Sequence, residues 1–133
     1  MSEPQMLSTN EPQRPGLVTT LAALTMASGI LNLLLSLAIT TLIVIGTIGI
    51  GLLLCAPVTL LPAVLGVFEI IYAARLFSEV QLPPRPNQVL AYFEIATLLF
   101  ANLISMAVGI IALVIYNDAD VKAYFNRPAS IRP

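Results

Sequence analysis

The chain has 133 residues, of which 58% are hydrophobic and 10% charged, with a mean hydropathy of +0.93, whereas ordinary globular domains carry about 25% charged residues. A domain of this size cannot hide so much apolar surface from water, so the surplus must face lipid. A formal net charge of -1 and the absence of His exclude an electrostatic footprint for nucleic acid and remove the commonest metal ligand and general base.

Residues 1–16 are polar, with Pro4, Pro12 and Pro15, and read as a disordered tail. From Leu17 to Phe77 the chain is apolar, with one acid, Glu69, and one base, Arg75. That run far exceeds the ~7 to 15 apolar residues of a cleavable signal. A span needs about 20 residues to cross a ~30 Å hydrocarbon core, so the run must divide. The glycines at 46, 49 and 51 supply the best turn, giving helices over about 17–45 and 52–77. Pro57 and Pro62 are then placed in the early turns of the second helix, where proline is best tolerated.

Residues 78–87, with prolines at 83, 84 and 86, form the clearest loop. A third apolar run over about 88–116 predicts a third crossing, ended by the turn-favouring Asn117, Asp118 and Asp120. Residues 117–133 are expected to hold a short interfacial helix, with Tyr124 and Phe125 dipping into the membrane, followed by a polar tail. The expected fold is therefore all-α and integral to a membrane, with three long transmembrane helices. A rival division makes 41–55 a fourth span, but at ~23 Å of helix that piece is short for a crossing. Orientation is a tie under three crossings: Arg14, Arg75 and Arg85 lie on one side, and Lys122, Arg127 and Arg132 on the other.

Polar residues recur every fourth position on the first span, at Ser28, Asn32, Ser36 and Thr40. Such residues drift only ~40° apart around a helix, forming one stripe. The third span repeats the pattern at Thr97, Ala101, Ser105 and Gly109, with Asn102 alongside. Small residues at this spacing let backbones approach, and Ser, Thr and Asn bond across the contact. Both stripes read as helix-packing faces, within one chain or between subunits. A blander reading has the hydroxyls bonding only their own helix.

Glu69 and Glu94 are the most costly residues, since an acid at mid-span is charged roughly 2.5 to 3.5 kcal/mol on insertion scales. Both lie on the side of the proline-rich loop, ~13 and ~9 Å inside their spans, so a hairpin would bring them together. They, with Asn32 and Asn102, form the candidate intramembrane polar site. Each acid either fixes packing through hydrogen bonds or shares a proton or cation on a conduction path; Glu94 alternatively faces water at the interface. Arg75 and Glu79, four residues apart, read as a weak surface pair. Cys55, the single Cys, suits a small apolar filler better than a palmitoylation site. No residue set suggests a cofactor, a metal site or a catalytic group.

The run Gly66-Val67-Phe68-Glu69-Ile70-Ile71-Tyr72-Ala73-Ala74-Arg75-Leu76, preceded by Cys55 and two prolines, resembles the intramembrane core of the dispanin (interferon-induced transmembrane) family. That resemblance implies an oligomerising protein that alters membrane order or curvature. The ending from Ile115 to Phe125 looks like the close of small bacterial multi-span proteins, which implies a bacterial plasma membrane. The sequence therefore sets up three functional expectations. The first is a non-enzymatic, oligomer-forming or accessory subunit in the bilayer, with a second copy or a larger membrane complex as partner. The second is a small proton or cation pathway through Glu69 and Glu94, and the third is a membrane-shaping protein.

Overall fold

The computed structural model describes residues 14–78, 84–97 and 102–126, the side chain of Leu52 excepted. Residues 1–13 and 127–133 of the expected tails, residues 79–83 of the proline-rich loop with Glu79 among them, and Ala101 of the second stripe lie outside the described residues. The described chain is helical: α1 is Gly16–Thr47, α2 Gly51–Phe77, α3 Gln88–Ala96, α4 Leu103–Asn117 and α5 Ala119–Phe125. Two of these, α1 and the Leu53–Phe77 part of α2, are long and apolar enough to cross a membrane. Helices α4 and α5 would qualify only as one joined span, and they meet at 81°.

Helix α1 ends where Ile48 and Gly49 adopt positive φ, 52° and 84°, a conformation that costs glycine nothing. The Thr47 hydroxyl accepts from the Gly51 N–H at 2.9 Å and so ties the end of α1 to the start of α2. Residues 41–55 are thus divided between two helices and do not form a span of their own. Pro62 is the twelfth residue of α2, deeper than the early turns expected for it. A proline there removes a backbone donor and loosens the turn before it. The carbonyl that loses its donor is that of Val58, and the Ser36 hydroxyl of α1 donates to the next one, Thr59, at 2.6 Å.

The backbones of the antiparallel α1–α2 hairpin approach closely at Gly29 and Gly66. A Cβ on Gly66 would stand 2.7 Å from the Gly29 carbonyl, and a Cβ on Gly29 2.8 Å from the Gly66 carbonyl. No other residue type allows that approach.

The expected single helix over 88–116 is instead two helices, α3 and α4, folded back on each other. The Asn102 N–H donates to the Thr97 carbonyl at 3.2 Å, which joins the end of α3 to the start of α4. The physical reason is that Asn102 acts as a helix start: its side-chain carbonyl accepts from the Ser105 N–H at 3.1 Å. Asn favours such caps over helix interiors, where it competes with the backbone. Helix α4 then returns toward the end at which α1 begins. Asn102 meets Asn32 near the middle of α1 at 2.6 Å, Ser105 meets Ser28 at 2.9 Å, and Tyr116 meets Tyr72, near the end of α2, at 2.9 Å.

The α3–α4 hairpin therefore covers only one half of the α1–α2 hairpin. The core lies in that half, with Val18, Leu21, Leu76 and Val121 almost wholly enclosed. Around the 48–50 turn the side chains stand clear of protein, with Ile48 92% and Leu53 85% exposed. At the core end, Arg14 donates to the Leu76 carbonyl, placing a cation at the negative end of the α2 dipole. Asp118 caps α5 through the Asp120 and Val121 N–H groups, at 3.0 and 3.2 Å. Phe125 is half-buried, packed edge-on against Tyr116 at a centroid distance of 6.1 Å.

Candidate functional site

Four helices deliver polar side chains to one point inside the bundle. Helix α1 contributes Ser28 and Asn32, α2 Glu69, α3 Glu94, and the start of α4 Asn102 and Ser105; all six are buried. The i, i+4 repeat on α1 puts Ser28 and Asn32 on the face that meets α2 and α4. The Gly29–Gly66 approach lies one turn from both Asn32 and Glu69, and it brings them within bonding distance.

The contacts form a connected network. The Asn32 amide donates to both carboxyl oxygens of Glu69 at 3.0 Å each. The Asn32 side-chain carbonyl accepts from the Asn102 amide at 2.6 Å and from the Ser105 hydroxyl at 3.2 Å. Asn102 also donates to the Ser105 hydroxyl at 3.0 Å. Glu69 and Glu94 are near enough for each carboxyl to act electrostatically on the other. Glu94 is 1% exposed, and its Oε2 has no hydrogen-bond partner, the one such buried side-chain oxygen or nitrogen among the described residues. Native interiors leave few polar atoms unsatisfied, and each such atom calls for an explanation.

Of the packing residues read from the sequence, Ser28, Ser36, Thr97, Ser105 and Gly109 are buried inside the chain, and Thr40 is half-buried. Gly109 lies against α3, where an added Cβ would stand 2.6 Å from the Ala91 carbonyl and 2.8 Å from the Glu94 Cβ. The Thr97 hydroxyl turns back onto its own helix at the Glu94 carbonyl. Glu94 does not face water. Arg75 is exposed on the outer side of α2. Among the described residues, no group of three or more His, Cys, Asp or Glu side chains is placed to hold a metal ion.

Two features escaped the sequence reading. The first is a pair of phenols, Tyr116 donating to or accepting from Tyr72, with Tyr72 also accepting from the Asn87 N–H at 3.3 Å. It closes the core end of the site beneath the loop. The second is an internal repeat: Leu65-Gly66-Val67-Phe68-Glu69-Ile70 and Leu90-Ala91-Tyr92-Phe93-Glu94-Ile95 share the pattern Leu-small-X-Phe-Glu-Ile. In both copies the small residue, three positions before the acid, packs against a glycine of a neighbouring helix. That repeat was visible in the sequence and marks both carboxyls. No family model, no curated protein and no solved structure matches the chain.

Proposed function

We propose that the chain is an integral membrane protein with two crossings, α1 and α2, and a re-entrant α3–α4 hairpin, and that it binds and passes a proton at the Glu69–Glu94 pair. One observation carries this reading: a buried carboxyl oxygen, Glu94 Oε2, stands without a partner beside a second carboxyl. An ionisable residue at membrane depth is costly and is kept where it serves transport or a relay. Broken helices whose ends meet near mid-membrane are a common way to build such sites. A proton arriving at Glu94 Oε2 makes one O–H bond. That arrival changes the pair's charge by one; transfer to Glu69 breaks the first O–H bond, makes another and leaves the pair's charge as it was. The Tyr72 and Tyr116 hydroxyls on one side, and Ser36 with Thr59 on the other, continue the polar line.

The association role loses part of its support, because Ser28, Gly29, Gly66, Ser105 and Gly109 are used within the chain. Proteoliposomes carrying an internal pH dye test the proton reading. An imposed pH gradient should collapse faster than in protein-free vesicles, and Glu69→Gln with Glu94→Gln should return the rate to that of empty vesicles. Flux that survives the double substitution rejects the site.

The re-entrant hairpin also changes the charge count. Arg14, Arg75, Arg85 and Lys122 all fall at the core end, and the 48–50 turn has no charged residue. The positive-inside rule then places the core end in the cytoplasm. In cells expressing Ile50→Cys with Cys55→Ala, a membrane-impermeant maleimide should label the protein from outside, while tags at both termini stay protected. Tags found on opposite sides would restore three crossings.

A further inference from the structure

Outside the polar site, α2 and α3 diverge and leave a groove of about 790 Å3 on the lipid-facing surface. Its walls are apolar: Pro57, Leu61 and Phe68 from α2, and Val89 and Phe93 from α3. Its polar groups gather at one end, where Arg75 and Asn87 line it. The Arg85 backbone is held at the same end by the Tyr72 hydroxyl at 3.4 Å, so a second guanidinium starts from there. We infer that this groove is a binding site for one anionic phospholipid, with an acyl chain along the Pro57–Phe68 wall and the headgroup phosphate at Arg75.

Length and charge both select that occupant. From Pro57 to Arg75 the helix rises ~27 Å, well beyond the ~15 Å hydrocarbon depth of one leaflet. A whole acyl chain can therefore lie in the groove while its headgroup stays at the basic end. Arg presents a planar fork that matches a phosphate oxygen pair, and a neutral or zwitterionic headgroup offers it less. Phe68 and Phe93, both more than half exposed, would otherwise form a loosely covered aromatic surface. The inference rests on the membrane reading but not on the proton reading, since Arg75 takes no part in the carboxyl network and, of the groove residues, Tyr72 alone reaches the polar line.

Native mass spectrometry of the full chain in mild detergent tests it, with phosphatidylglycerol and phosphatidylcholine of identical acyl chains added at equal concentration. One phosphatidylglycerol per chain should be retained in preference to phosphatidylcholine. Arg75→Gln should lower that adduct roughly tenfold, the scale of one charge-assisted contact, and leave the phosphatidylcholine adduct unchanged. Val64→Trp, which fills the groove from an exposed position, should remove the phosphatidylglycerol adduct while helical content stays the same. Free glycerol 3-phosphate in excess should not displace the lipid. Equal retention of the two lipids, an adduct indifferent to Arg75→Gln, or displacement by glycerol 3-phosphate would each overturn the site.

Discussion

Asn102→Ala should destabilise the fold by about 2 to 3 kcal/mol in denaturant titration from mild detergent. The sum follows from what that one side chain does. Loss of a helix N-cap costs about 1 kcal/mol, and here the cap takes the Ser105 N–H at the start of α4. Its amide also donates to Asn32 at 2.6 Å and to Ser105 at 3.0 Å. Hydrogen bonds between membrane helices average only about 0.6 kcal/mol each, because the separated helices find other partners. The cap and the two donors therefore contribute on the same scale.

Related substitutions separate those contributions. Asn102→Ser keeps a cap and should cost less than Asn102→Ala. Asn102→Asp also keeps a cap, but it sets an acceptor against the Asn32 carbonyl oxygen and should cost at least as much as alanine. An Asn102→Ala protein within 0.5 kcal/mol of the parent would remove the network as the organiser of the α3–α4 hairpin.

The long hairpin and its turn could be read from composition and glycine spacing, because φ of 84° at Gly49 is a demand on residue type. The polar stripe on α1 was equally legible, since a helix repeats a face every three to four residues. The return of α4 was not. Residues 88–116 are as apolar as a crossing, and Asn102 among them serves equally as interhelical glue or as a cap. Which role it takes depends on which backbone donors it meets, a tertiary matter that no local pattern encodes. Two signals were nevertheless present. Three crossings left the basic residues evenly divided, whereas the α3–α4 hairpin brings Arg14, Arg75, Arg85 and Lys122 to one end. The Leu-small-X-Phe-Glu-Ile repeat also indicated that Glu69 and Glu94 occupy equivalent settings. Asn32 was legible both in the stripe and as a member of the polar site, but its direct bond to Glu69 was not, because that pairing is set by the glycine contact one turn away.

That glycine contact should tolerate substitution poorly. Gly66→Leu places a Cβ 2.7 Å from the Gly29 carbonyl, 3.1 Å from the Leu33 Cγ and 3.2 Å from the Asn32 Cβ. The first of these is backbone and cannot rotate away, so α1 and α2 must separate. Overpacking costs about 1 to 3 kcal/mol, and the separation also breaks the two Asn32–Glu69 bonds, each worth about 0.6 kcal/mol in a membrane. A total of about 2 to 4 kcal/mol is expected. Gly46→Leu is the control: nothing lies within 4 Å of its added Cβ, and leucine favours helix over glycine. It should be neutral or slightly stabilising. Paired denaturation curves in the same detergent measure both. Equal midpoints for the two variants would mean that α1 and α2 do not approach at Gly29 and Gly66. Gly66→Ala, which makes the same backbone clash with less bulk, should fall between them. The clash moves Asn32 away from Glu69, so under the proton reading proposed above any Gly66→Ala protein that still folds should collapse an imposed pH gradient more slowly than the parent.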